Sequence, residues 1–327
     1  MQFFDRAMVE RSLPLPLCLQ LARIAFELHS DRQVEQPLRS IVSSTDGRLM
    51  GTMPAYIRSG EYAGFGLKSV LVNFDKVAGS CSHEGSILLY DAPAAGEMAI
   101  VDAGAITELR TAAASAWATH LLASVDAKRL AILGTGVQAR RHLLAMLAVR
   151  PIEEVVIWGR GAENTARFVS WCREHITQSV SVADSPARAA AGADIICTVT
   201  ASREPFLTSS DLPERCHINA VGASAPGFQE LTAEIYATVD LYLDSREAVS
   251  AASQCLMEAR QRRIIDRDVI GTEIGELEDA LRWHNGMKRT LFKSVGLAVQ
   301  DLVFAREVVR KSVDRANQET GLDLFIG

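Results

Sequence analysis

From Arg129 onward the chain repeats one pattern: a short apolar run, a tight turn, a helix-patterned segment, and another apolar run. The first repeat reads LAILGTGVQARRHLLAMLAVRPIEEVVIW, residues 130–158. ADIICTVT, HINAVGA and VDLYLDS continue the apolar runs, and NTARFVSWCREH and SPARAAAG supply further helical segments. Strands buried on both faces read as continuous apolar runs, and strands alternating with helices argue for a parallel sheet covered on both faces. The expected fold class is therefore α/β, with a Rossmann-type doubly wound parallel sheet. Before residue 105 the rhythm differs. LPLCLQLARIAFELHSDR has helical spacing, whereas LRSIVSS, RLMGTMPAYI, AGFGLKSVLVN and GSILLYDA read as strands, with a turn at TDG, 45–47. AITELRTAAASAWATHLL is an alanine-rich helix expected to cross from the first domain to the second. LFKSVGLAVQDLVFAREVVRKSV reads as a loop and then a long amphipathic helix returning to the first domain. The expected division is a discontinuous α+β substrate-binding and dimerisation domain, 1–118 with 298–327, around a dinucleotide-binding domain, 119–297.

The turn GTGVQA places glycines at Gly134 and Gly136 and a small residue at Ala139. Gly134 suits a tight turn, Gly136 lets a pyrophosphate approach the backbone, and Ala139 lets the helix pack on the strand. Phosphates would then meet the unpaired N–H groups at the positive end of the helix. The competing reading is a plain strand-to-helix corner. Sites for NAD usually carry an acid at the end of the second strand, but here VVIW runs into Gly159 and Arg160. An arginine there can bond a 2′-phosphate in bidentate fashion, which favours NADP(H) and leaves NAD(H) open. At later strand ends, where open α/β sheets bind ligands, Thr200, closing ICTVT, is expected where the adenine-side ribose passes, and the small residues Val221, Gly222 and Ala223 of NAVGAS let a flat nicotinamide ring approach the backbone.

Composition narrows the function classes. A net charge of -6 gives no broad surface for nucleic acid or membrane, and the cluster RQRR, 260–263, reads as a solvated helix face. No apolar run reaches the roughly 18 residues of a membrane span, and MQFFDRAMVERSLPL lacks a signal-peptide core. The six cysteines lack CxxC spacing and suit a reducing compartment, so a cytoplasmic location is expected. The seven histidines are dispersed, which points away from a metal centre.

Several strings in order, ELRTAAASAWATHLL, LAILGTGVQAR, ADIICTVTAS, HINAVGASAPGFQEL, IGELEDAL and LFKSVGLAVQDL, together resemble the ornithine cyclodeaminase/mu-crystallin family. The resemblance implies a homodimer with its interface on the first domain, an active site in the cleft between domains, and a small amino-acid or imino-acid substrate. It implies that Arg39 holds the substrate carboxylate, that Lys68 is the pocket lysine, and that Arg110 is shared by substrate and cofactor. Ser86 matches a hydroxyl near the cofactor, Val137 and Gln138 the phosphate turn, and Ser294 and Val295 the nicotinamide edge. The chain departs from cyclodeaminases at Ser224, where they carry a proton-carrying aspartate, and at Gly51, where they carry a glutamate credited with activating water. Both departures count against deamination with ring closure and leave Ser224 as a substrate-side candidate. The expected activity is NAD(P)H-dependent reduction of an imine or ketimine next to a carboxylate, giving α-amino or cyclic imino acids. Alternatives are ornithine cyclodeaminase or alanine dehydrogenase-like oxidation, and a non-catalytic mu-crystallin-like ligand binder. Arg39 and Arg110 would anchor the carboxylate by charge-assisted hydrogen bonds. Lys68 would either deliver the proton or only bind carboxylate while water delivers it. Met53, Tyr56 and Phe228 are candidates for the pocket lining.

Overall fold

A computed structural model describes residues 1–45, 48–72, 83–91, 94–266, 268–269, 271–277 and 288–323. The chain divides into two compact units, Met1–Arg110 with Leu297–Gly327, and Thr111–Gly296. The expected TDG turn and IGELEDAL segment lie partly outside the described residues, and Cys81 wholly so.

The first unit opens with β1 (Gln2–Phe4), α1 (Arg6–Ser12) and α2 (Leu15–Ser30). Asp5 caps α1 by accepting the Met8 N–H at 2.8 Å. In α2 the buried residues Cys18, Leu21, Ala22, Ala25 and Phe26 follow helical spacing, so one stripe faces the core. There follow β2 (Val34–Glu35), β3 (Ser40–Ser43), β4 (Leu49–Ile57), β5 (Gly64–Val72), β6 (His83–Tyr90) and β7 (Ala94–Asp102). β4 to β7 form an antiparallel meander, β1 joins β7 in parallel, and β2 and β3 both pair with β4. The period-2 alternation puts Gly64, Gly66, Lys68 and Val70 of β5 on the inner face. α3 (Ala103–Leu122) follows β7, and the division between the units falls inside it.

The second unit contains β8 (Arg129–Leu133), α4 (Val137–Val149), β9 (Glu154–Trp158), α5 (Ala162–His175), β10 (Ser179–Val182), α6 (Pro186–Ala190), β11 (Ile195–Thr198) and β12 (Cys216–Ala220). It continues with β13 (Asp240–Leu243), α7 (Arg246–Ala252), α8 (Gln254–Gln261), β14 (Thr272–Glu273) and β15 (Arg289–Lys293). All eight strands run parallel in the order β10-β9-β8-β11-β12-β15-β13-β14. Order reverses between β8 and β11, the switch point at which doubly wound sheets take ligands. β11 and β12 are buried along their whole length, as coverage of both faces requires. The LFKSV segment is not wholly a loop: Leu291–Lys293 ends β15, inserted between β12 and β13.

α9 (Ala298–Asp323) returns to the first unit and packs against α1, α2 and β4 to β7. The other face of that sheet stays apolar and open. Tyr56 stacks on Phe65 at 4.3 Å, and with Pro37, Pro54, Leu67 and Tyr90 they line a shallow depression. Tyr56 is therefore on the face opposite Lys68 and not beside it, whereas Met53 sits directly across from Lys68. Phe228 belongs to the second unit, buried beneath the Arg203 guanidinium.

Candidate functional site

The turn from β8 to α4 has the geometry its glycines suggest. Gly134 has φ +131°, a region unfavourable to any side chain, and a Cβ there would lie 2.8 Å from the Val199 carbonyl. Gly136 is the N-cap of α4 without a side-chain cap, and a Cβ built on it meets nothing within 4 Å. Open space thus lies on the Cβ side of Gly136 and the first helical residue, Val137, is exposed, while Ala139 is fully buried. The uncapped, open N-terminus at the sheet's switch point fits the phosphates of a dinucleotide. Arg160 is exposed just beyond β9, immediately before the N-cap of α5.

The remaining strand-end candidates are gathered by buried carboxylates that sequence reading missed. Glu230 accepts from Thr200 N at 2.6 Å, Thr200 Oγ1 at 2.8 Å, Thr198 Oγ1 at 2.8 Å, Gly222 N at 2.9 Å and Ala223 N at 3.3 Å. Val221 is buried next to them, its N–H donating to the Thr198 carbonyl, and Ser224 follows half-buried. Asp244, at the end of β13, accepts from Ser294 Oγ and from the N–H groups of Val295 and Gly296 at 2.7–2.9 Å. In the sequence the only signals were an acid inside GFQEL and one closing LYLDS.

In the first unit Lys68 projects from β5 and is 2% exposed. Its Nζ donates to Thr107 Oγ1 at 2.6 Å and to Asp301 Oδ1 at 2.8 Å. Thr107 spends its own proton on the Ala103 carbonyl, so it accepts from the lysine. Arg110, on α3, donates through Nε to the same Asp301 oxygen at 3.1 Å and through Nη1 to Gln300 Oε1 at 3.4 Å. Arg39, in the loop before β3, is half-buried and acts electrostatically on Lys68. Two predicted cations, Lys68 and Arg110, thus share one buried carboxylate, with Arg39 near enough to act on the lysine. Burial lowers the Lys68 ammonium from its ordinary 10.5 to about 8; Asp301 opposes the fall, and Arg110 and Arg39 add to it. Asp301 Oδ2 and Gln300 Nε2 are buried and have no hydrogen-bond partner among the described residues. Among the four charged groups positive charge exceeds negative, so the cluster suits an added anion. Ser86 lies on β6, half-buried, opposite Ser69 on β5 and Asp102 on β7. Gly51, buried in β4, offers no carboxylate. Among the described residues no group of three or more His, Cys, Asp or Glu is arranged to hold a metal ion.

The sequence profile of the ornithine cyclodeaminase/mu-crystallin family matches residues 2–316. The chain is 37% identical to the ketimine reductase mu-crystallin of Mus musculus over 294 residues, 89% of each chain. Its fold superposes with a TM-score of 0.90 on Thermococcus litoralis Delta(1)-pyrroline-2-carboxylate reductase in complex with NADH and L-proline, at 28% identity, covering 97% of this chain and 98% of that one. An archaeal alanine dehydrogenase dimer with bound NAD superposes with a TM-score of 0.86 at 26% identity, covering 96% of each chain. This chain belongs to the ornithine cyclodeaminase/mu-crystallin family.

Proposed function

We propose that this protein is an NAD(P)H-dependent reductase of imines adjacent to a carboxylate, with Δ1-pyrroline-2-carboxylate as representative substrate. The observation that carries the reading is the buried Lys68–Asp301–Arg110 cluster with Arg39 beside it, a positively charged site holding one proton-bearing lysine. The named activities of the similar proteins support the same chemistry. The hydride for the imine carbon would come from a reduced nicotinamide when one is bound. Arg39 and Arg110 hold the substrate carboxylate, orienting the C=N bond. Lys68 has two N–H groups engaged by Thr107 and Asp301, leaving one to turn toward the substrate nitrogen. With a value near 8 it is protonated at neutral pH yet acidic enough to yield a proton. The electron pair of the C=N π bond ends on nitrogen, which takes that proton, and C–H and N–H bonds replace C=N.

Gly134, Gly136, Val137, Gln138, Thr200, Val221, Gly222, Ala223, Ser294 and Val295 would hold the dinucleotide. The exposed Arg160, with no acid beside it at the end of β9, supports NADP(H) over NAD(H). Ser224 contributes to the substrate side. The open apolar face around Tyr56, Phe65 and Tyr90, together with the dimeric alanine dehydrogenase neighbour, supports a homodimer formed through this sheet. No helix among the described residues is long and apolar enough to cross a membrane, and Cys18, Cys172, Cys197, Cys216 and Cys255 are unbridged, which supports a cytoplasmic site of action. The test is consumption of NADPH and NADH with Δ1-pyrroline-2-carboxylate. Turnover that is faster per unit concentration with NADPH supports the reading. Tight NADPH binding without turnover would leave a ligand-binding protein instead.

A further inference from the structure

Where parallel strands end, the last peptide groups lose their ladder partners and must find others. Just past β11 and β12 this is achieved by two opposite charges. Glu230, 1% exposed, takes the N–H groups: its Oε1 serves Thr200 N and Oγ1, and its Oε2 serves Thr198 Oγ1, Gly222 N and Ala223 N. Lys293, 1% exposed at the end of β15, takes the carbonyls, donating to Ala220 O at 3.2 Å and Ala223 O at 2.6 Å. The two strand ends touch directly, since a Cβ on Gly222 would overlap the Thr200 backbone and Glu230 Oε1.

We infer that Glu230 and Lys293 are positioning residues, a buried anion and cation that hold the rim 198–200 and 220–223 in the shape receiving the ring half of the dinucleotide. The inference rests on the proposed dinucleotide reading. The Ser294 N–H, donating to the Ala220 carbonyl, joins the rim to the nicotinamide edge. The carboxylate shared with Gly222 and Ala223 assigns Thr200 to that side rather than to the adenine-side ribose the sequence suggested. Each charge is needed for a stated reason. A carboxylate is the one side chain of this length that only accepts. A glutamine amide, whichever way it turned, would point its NH2 at the Thr200 N–H or at those of Gly222 and Ala223. Lys293 in turn offsets the buried anion, and losing one partner strands the other.

The test compares two ligands in the full-length protein. NADPH reaches the rim with its ring half, whereas 2′,5′-ADP carries only the adenosine half. Glu230→Gln and Lys293→Met are each expected to weaken NADPH binding by about tenfold to a hundredfold, measured by fluorescence titration, while 2′,5′-ADP binding changes less than about twofold. The double variant is expected to lose less than the product of the two single losses, because neither charge is left stranded. Hydrogen exchange without ligand gives an independent readout: the Thr200, Gly222 and Ala223 amides exchange faster in Glu230→Gln, with β8 amides unchanged. Should that variant fail to fold, Thr200→Val, which removes one donor to Oε1, is expected to show the same ligand split at smaller size. Equal losses for both ligands, or unchanged NADPH affinity, would overturn the inference. A wild-type protein that binds neither ligand would refute the nucleotide reading itself, and the inference with it.

Discussion

Replacing Asp301 by Asn removes a charge while keeping the shape and an accepting oxygen, and its effect can be worked from one distance. Lys68 Nζ lies 2.8 Å from Asp301 Oδ1, with both side chains almost fully buried. At an effective dielectric of about 20, charges at that separation attract by about 6 kcal/mol. At about 1.4 kcal/mol per tenfold change, that is an upper limit of about 4 pH units. Arg110 draws on the same oxygen and the asparagine carbonyl still accepts, so we take half, about 2 units. The sign is definite. Asp301 favours the charged ammonium, so its loss lowers the Lys68 value further, from about 8 toward about 6. If protonated Lys68 is required, kcat/KM falls as pH rises through that value. Stopped-flow profiles on one substrate should show the descending limb of the variant about 2 units lower. Activity at pH 7.5 would be about 25-fold below wild type, recovering to within about twofold near pH 6. Substrate ionisation is common to both profiles and cancels in their difference. A loss of the same size at every pH would refute the reasoning and leave Asp301 a structural group.

Other outcomes follow from the same geometry. Lys68→Met should lower kcat/KM by roughly 10²–10⁴-fold with NADPH affinity unchanged in fluorescence titration; a loss confined to cofactor binding would contradict its role. Arg160→Glu should weaken NADPH by at least about tenfold and leave NADH near wild type, checked by paired titrations; equal effects would remove Arg160 from 2′-phosphate recognition. Burial lowers His142 to about 4 and His217 to about 3, so both are neutral in the folded chain. As pH falls below 6.5 the unfolded chain takes up protons that the folded chain refuses, so stability falls with falling pH. The loss by pH 4 is about 3 kcal/mol per histidine, and urea titrations of His142→Gln should show a shallower decline than wild type.

What could be read from the sequence was local. The strand, turn and helix around Gly134 and Gly136 follow from short-range sterics and periodicity, and the structure has them. Strand alternation in GFGLKSV is enough to put Lys68 and Val70 on one face. The same rule, applied to Met53 and Tyr56, would have separated them, since residues three apart in a strand face opposite ways. The charge partners were not legible, because chain topology brings them together. Asp301 meets Lys68 across 233 residues and Glu230 meets Thr198 across 32, with no local pattern to mark either acid. β15 was expected as loop because RTLFK has charged ends and only two strongly apolar residues; its neighbours β12 and β13 make it a strand.

The most direct measurement is the fate of the transferred hydrogen. NADPH deuterated at its transferable position, incubated with Δ1-pyrroline-2-carboxylate, should deliver one deuterium to the α-carbon of the proline formed, with the proton on nitrogen drawn from solvent. An α-carbon carrying solvent hydrogen, or intact deuterated NADPH beside unreacted imine, would contradict the account.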